Sequence, residues 1–443
     1  MRNVKNLSLC VLVLALVSTA AVADTHYVNP GDSIQAAIGA ADNGDQIEVA
    51  EGTYLEAISF NGKAIRLYSS GGPAVTTIDA TGKNASVVTC TSGEGSGTIL
   101  EGFTITGGSG TQQSFGKTGG GMCNIGSSPT VTNCTFSGNH AKGGGMSNDN
   151  CSTTVTNCTF SHNTGEAGGG MYNGGANVTV TNCTFSSNDA PYGGGMWNYG
   201  ASPTVTNCTF SSNTSTSRGS GMYNEVNSDP TVTNCTFTSN TGASGMWNRS
   251  SDTSPTLTNC IFWGNSPLQI YNVEDSTATV TYSDIQGGWT GTGNIEADPL
   301  FADADGRLLA ASLCIDAGND AAVPSGVTTD LDGNPRIQGL CVDMGAFEAT
   351  PDPEMMLAQL KAYILQQVAL DNIDVDLEGG LLDKVDAASE TLASGNPNNA
   401  KAAMNNMEAL INQVEAQTDK KIEADAAEAI IDRANAIITA LGG

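Results

Sequence analysis

The chain has 443 residues, a formal net charge of −28 and only 14% charged side chains, with 54 Gly and 6% aromatic residues. So acidic a protein is a poor partner for nucleic acid or an anionic membrane surface, and its charge leaves divalent cations and neutral glycans as compatible ligands. The shortage of charged and aromatic residues excludes a conventional globular core over most of the length.

The first 23 residues read as an address. Arg2 and Lys5 precede an apolar run from Leu7 to Val17, and Ala21-Val22-Ala23 supplies small residues for cleavage. This is the three-part layout of a secretory signal peptide, with a run too short to span a bilayer. Cys10 follows Leu9 rather than a small residue and goes with the removed part. The mature chain is expected from Asp24, secreted, extracellular or at the cell surface, with no integral membrane span. Next, Ser33 to Ala41 predicts a short helix with Asp32 as N-cap. Gly44-Asp45-Gln46-Ile47-Glu48-Val49 and Gly52-Thr53-Tyr54 follow. Together they resemble the N-terminal cap and first coils of pectate-lyase-like β-helices. The resemblance implies that the short helix covers the first open rung, since an exposed sheet edge invites aggregation.

A repeat then dominates. Six Thr-Asn-Cys-x-Phe-like blocks place Cys at 134, 158, 183, 208, 235 and 260, in steps of 24, 25, 25, 27 and 25 residues. Each is closed by Asn (139, 163, 188, 213, 240, 265), and a second block places Met at 122, 146, 171, 196, 222 and 246. Thr, Val, Phe and Asn with frequent Gly favour short strands and tight turns. Stacked coils roughly 4.8 Å apart turn such a repeat into columns of like residues. Val131, Cys134 and Phe136 cannot all face inward on one straight strand. A left-handed residue at Asn133, Asn157, Asn182, Asn207, Asn234 and Asn259 resets the alternation, and stacked Asn amides there satisfy one another. The Gly144-Gly145-Met146 and Phe136-Ser137-Gly138-Asn139 blocks, with their copies over Gly119 to Asn265, resemble the repeats of chlamydial polymorphic outer-membrane proteins, without the membrane barrel that ends those proteins. The expected fold is all-β: a right-handed, single-stranded, pectin-lyase-like parallel β-helix over 24–297, followed by a small C-terminal α-helical bundle.

From Asp298 the blocks stop. Asp298-Pro-Leu-Phe301, Ser312 to Gly318, Asp330 to Ile337 and Asp343 to Glu348 follow in order. They resemble the choice-of-anchor Q domain of surface proteins, which implies a β-helix end over 298–350 and a surface context. Within it Cys314 and Cys341 are candidates for a disulfide. Asp303, Asp305, Asp330 and Asp332 are a candidate Ca²⁺ set, since hard cations take oxygen ligands; a pair of Asp-Gly turns is the alternative. Pro351-Asp-Pro353 breaks the chain, and 351–443 carries helical spacing in Leu410, Ile411, Val414, Ile430, Ile431, Ile437 and Ile438. Asn396-Pro397 starts one of three or four expected helices. Asn405 to Gln417 with Ala426 to Leu441 resembles a FIMAH-type helical module.

For chemistry, the repeat region offers Lys117, Lys142, Arg218 and Arg249 in no single column, and scattered acids including Glu166 and Asp189. His140 and His162 read as turn residues before they read as a metal pair. The Cys column has two readings, buried free thiols or adjacent-rung disulfides. One feature points to recognition. The residue after each Met is Tyr172, Trp197, Tyr223 and Trp247 on four consecutive coils, opposite in parity to an inward Met. Such a column is expected to be exposed and to meet flat sugar faces; a self-packed stack is the alternative. The reading is a secreted or surface, non-catalytic β-helix with a structural, adhesive or glycan-binding role, monomeric, partnered by a polysaccharide or cell-surface glycan and needing no cofactor. The alternative is a polysaccharide lyase or glycoside hydrolase on the same scaffold.

Overall fold

The computed structural model describes residues 23–114, 116–349, 352–393 and 399–442. The expected signal peptide, apart from Ala23, and the Asn396-Pro397 helix start lie outside the described residues.

Among these, the chain from Thr25 to Ile285 winds into a parallel β-helix of three sheets. The first has eleven strands, from Thr25–Val28 to Thr279–Thr281. The second has ten, from Gly52–Tyr54 to Asp284–Ile285. The third has nine, from Ile58–Ser59 to Ile270–Val273. Register is in phase with the repeat: Val155 pairs with Val180, Phe160 with Phe185 and Met146 with Met171.

The bend between the first two sheets is the one the sequence required. Asn133, Asn157, Asn182, Asn207, Asn234 and Asn259 all have φ between 50° and 55°. Each resets the alternation, so Val, Cys and Phe of one coil all point inward and are buried. From Asn182 onward the bend amides link, Asn207 donating to Asn182 at 3.1 Å, Asn234 to Asn207 at 3.2 Å and Asn259 to Asn234 at 2.9 Å. His162 takes a left-handed φ of 55° at the next turn, the place Gly138 holds one coil earlier, which makes it a turn residue.

The interior is built of ladders. The closing Asn residues pass hydrogen bonds from Asn139 to Asn265, each Oδ1 accepting both the backbone N–H and the Nδ2 of the preceding Asn at 2.8–3.1 Å. A further Asn ladder runs along the third sheet from Asn124 to Asn272 at 2.7–2.9 Å. These bonds let polar amides stand fully buried. The Phe rings stack at centroid distances of 4.3–4.9 Å, each buried ring stabilising by about 1.5–3 kcal/mol. The six column cysteines are free, which settles the disulfide alternative, and burial raises the thiols of Cys134, Cys158, Cys208 and Cys260. The glycine before Met fits a tight approach: a Cβ at Gly170 would lie 2.6 Å from the Gly195 carbonyl and 2.9 Å from Phe185 Cδ1.

Helix α1 (Ile34–Ala40) puts Ile34 and Ile38 into the core at the first rung. Its N-cap is Ser33, whose Oγ accepts the Ala36 N–H, while the expected cap Asp32 accepts the Asn29 N–H one turn earlier. At the other end Trp289 packs on the core, and Ile295 pairs with Asp284.

The segment Asp298–Glu348 runs back along the flank. Asn319 exchanges two hydrogen bonds with the bend residue Asn259, Asn207 donates to the Thr329 carbonyl, and the Ala346 N–H donates to Thr236. This cover explains a break in the repeat. The coil that should read Thr-Phe-Ser reads Ile261-Phe262-Trp263, because Ile261 and Trp263 face Cys314, Met344, Phe301 and Leu308 of the segment. Helices α2 (Pro353–Ala369), α3 (Val375–Ala393), α4 (Asn399–Gln417) and α5 (Ala424–Ala440) form a bundle with its own core, including Leu360, Leu381, Leu410, Val414, Ile430 and Ile437. The α2–α3 and α4–α5 loops bridge at Ile373 and Ile422. No described helix is long and apolar enough to cross a membrane.

Candidate functional site on the third sheet

The outer face of the third sheet gathers aromatic and charged groups. Its strands run Met-x-Asn-x, with Met and Asn inward, so the first and second x positions face outward. The first x column is Cys123, Ser147, Tyr172, Trp197, Tyr223, Trp247 and Tyr271. The second is Ile125, Asp149, Gly174, Tyr199, Glu225, Arg249 and Val273.

The expected exposure of the aromatic column is corrected. Tyr172 is 4% and Tyr223 0% exposed, and Trp197 and Trp247 are half-buried. The loops before Met146, Met196 and Met222 fold back over the column. They do so at a left-handed glycine: a Cβ on Gly193 would lie 2.4 Å from the Met196 carbonyl and 2.7 Å from Trp197 Cβ. The residue before that glycine then overhangs the aromatics. Lys142 Nζ sits 3.8 Å from the Tyr172 ring centroid and 5.5 Å from that of Trp197. Tyr192 lies 5.8 Å from Trp197 and 6.2 Å from Tyr223, and Arg218 donates to Tyr223 Oη at 3.2 Å. Within the column Tyr172 meets Trp197 edge-on at 5.2 Å, and Trp197 stacks on Tyr223 at 5.9 Å. Trp247 meets Tyr271 edge-on at 4.5 Å. Burial pushes the Tyr223 hydroxyl up to about 12 and raises that of Tyr172 well above its usual range.

One stretch of this face stays open. A cleft of about 330 Å³ is lined by Lys142, Asp149, Asn150, Tyr172, Gly174, Gly175 and Tyr199. Tyr199 stands 45% exposed at its lip and meets Trp197 edge-on at 5.9 Å. Burial lowers the Lys142 ammonium and raises the Asp149 carboxyl, each moderated by the charge of the other. One coil further on the second column is closed by ion pairs, Arg249 bonding Glu225 and Glu274 at 2.8 Å each. The cleft therefore offers an aromatic wall, an acceptor and a cation within one small volume. Sequence reasoning singled out the buried first column, left Asp149 among the scattered loop acids although it ends the strand Met146–Asp149, and missed Gly174 and Tyr199. Carrying the strand alternation two residues further would have reached them.

The other candidates are not brought together as expected. Arg307 stands among the proposed Ca²⁺ ligands, bonding Asp303 at 2.8 Å, Asp305 at 3.1 Å and Asp332 at 2.6 Å. Asp330 is buried and spent on the backbone N–H groups of Asp332, Asn334 and Glu348. The four carboxylates thus serve turns and an arginine, and no group of three or more His, Cys, Asp or Glu among the described residues has a metal-holding geometry. Cys314 and Cys341, the candidate disulfide pair, stand here as free thiols, Cys314 Sγ donating to Asp284 Oδ2 at 3.2 Å and Cys341 Sγ to the Asp316 carbonyl at 2.9 Å. His140 Nδ1 lies 2.9 Å from Thr164 Oγ1 on the exposed surface.

Comparison with known proteins bears on the scaffold. The model of the right-handed beta helix region matches residues 42–210 and 125–285, which together span more than half of the chain. Among curated proteins none matches the sequence. Among solved structures, pectate lyase Pel9A is similar over 73% of this chain and 96% of its own, at 16% identity and a TM-score of 0.42. A pectin methylesterase from carrot is similar over 61% and 85%, at 13% identity and a TM-score of 0.37. A pectin methylesterase in complex with a hexasaccharide is similar over 60% and 88%, at 10% identity and a TM-score of 0.28. Likeness this distant says nothing about individual residues of the cleft.

Proposed function

The chain belongs to the right-handed β-helix family, and from that premise we propose that it is a secreted or cell-surface protein that binds a polysaccharide or cell-surface glycan without cleaving it. The observation that carries the reading is the open cleft on the third sheet, where Tyr199 presents an aromatic face beside Lys142, Asp149 and Asn150. Amphipathic aromatic rings next to a few fixed polar groups suit sugar recognition, apolar on the ring face and hydrogen-bonding at the rim. The rest of the molecule supports a scaffold role: stacked coils hold the cleft on rigid strands. Export is the reading of residues 1–23, and surface placement that of the choice-of-anchor Q resemblance; both belong to the proposal.

The alternative, a lyase or hydrolase, draws on Lys142 and Asp149 lining one cleft, where burial favours the uncharged forms of both. Such shifts accompany catalysis and structural burial alike. The test is retention of the purified protein on insoluble polysaccharides, with the supernatant analysed for released oligosaccharides with and without Ca²⁺. Retention without release is expected. A defined oligosaccharide product makes the protein an enzyme, and absence of retention on every polysaccharide rejects glycan binding.

A further inference from the structure

The second outward column of the third sheet is filled on every coil from Ile125 to Val273 except one. At that coil Gly174 leaves a notch between Asp149 on one side and Tyr199 on the other. Its φ is not left-handed, so the backbone does not require glycine there. What glycine provides is room for its neighbours: the place of a Cβ lies 2.6 Å from Tyr172 Oη and 3.0 Å from Asp149 Oδ1, so these two groups stand over the buried glycine where a side chain would be. The Tyr172 hydroxyl and the Asp149 carboxylate therefore floor the notch, Tyr199 walls it, and Lys142 reaches it over the Tyr172 ring.

Resting on the glycan-binding reading, we propose that this notch is a subsite for one neutral sugar residue and that the protein selects neutral polysaccharides over uronate polymers. Neutral hydroxyls can donate to Asp149 and accept from Lys142 and Tyr172 Oη, while a ring face covers Tyr199. A uronate carboxylate gains little there, because the one ammonium already shares its field with Asp149. At longer range the net charge of −28 opposes the approach of a polyanion. The geometry thus points away from pectin-like ligands despite the scaffold.

The test is a titration of the full chain with cello-, manno- and xylo-oligosaccharides against oligogalacturonates at low and high salt. One neutral series is expected to bind with little salt dependence and to outcompete oligogalacturonate. Gly174→Val pushes the Tyr172 hydroxyl and the Asp149 carboxylate out of the floor of the notch, and Tyr199→Ala removes its exposed wall. Each is expected to weaken binding about tenfold or more, and Thr204→Val on the first sheet is expected to leave it unchanged. Tyr199 is exposed, so its loss does not threaten folding. Neutral-sugar binding that ignores both Gly174→Val and Tyr199→Ala puts the ligand elsewhere and overturns the subsite while leaving the glycan reading in place. A preference for oligogalacturonate overturns the selectivity. A wild-type chain retained by no polysaccharide overturns the reading itself.

Discussion

Replacing Asn188 by alanine cuts the buried ladder behind the Phe column at its middle. Its Oδ1 accepts the backbone N–H and the Nδ2 of Asn163, both at 3.0 Å. Its Nδ2 donates to the Phe160 carbonyl at 2.9 Å and to Asn213 Oδ1 at 3.0 Å. Two of the four partners keep another bond: Asn163 Nδ2 still reaches the Phe136 carbonyl, and Asn213 Oδ1 still accepts the Asn188 N–H. The Asn163 N–H is left orphaned in a dry interior. One orphan costs about 1–3 kcal/mol and each of the three further lost bonds about 0.5–1.5 kcal/mol, so the sum is about 2.5–7.5 kcal/mol. Each coil of a solenoid leans only on its neighbours, so the damage stays local and a single melting curve dilutes it. Hydrogen exchange is the suitable assay. Amides of the coils containing Asn163, Asn188 and Asn213 are expected to exchange roughly a hundredfold faster or more, while the first coils stay protected. Exchange at the wild-type rate in those three coils refutes the account of the ladder as a set of obligatory buried bonds.

Phe185 stacks on Phe160 at 4.8 Å and on Phe210 at 4.7 Å, so Phe185→Ala should cost about 3–5 kcal/mol in the same coils, read by the same exchange experiment. Gly170→Ala drives a Cβ to 2.6 Å from a backbone oxygen and is expected to destabilise although alanine has the better intrinsic propensity; a neutral result in urea titration contradicts the tight approach. Asp284 is buried on the last coil, and burial raises its carboxyl from 3.8 to about 6. The unfolded chain releases this proton first, so stability at that end is greatest below about pH 4 and falls as pH rises towards about 6. Asp284→Asn should flatten that slope in exchange rates measured across the range. Mass mapping of the alkylated, unreduced chain should find Cys314 and Cys341 each carrying a label; a linked peptide pair would restore the disulfide.

The repeat, the parallel β-helix and the left-handed Asn bend were legible because stacking makes like residues meet, and columns imprint their period on the chain. Val131, Cys134 and Phe136 could share one interior only if Asn133 turned left-handed, and that is a local rule of backbone sterics. The helical end was legible for the same reason, through apolar spacing at Leu410, Val414, Ile430 and Ile437. What covers an outward face is not periodic, and there the sequence was silent. Tyr172 and Tyr223 have the parity of exposed residues, yet the preceding loops lay Lys142, Tyr192 and Arg218 over them. Asp303, Asp305 and Asp332 have the composition of a cation site, yet their shared partner is Arg307. Cys314 and Cys341 have the look of a pair, yet each turns to a different oxygen. Local propensity and period fix which way a side chain leaves the backbone; only long-range packing decides what it then meets.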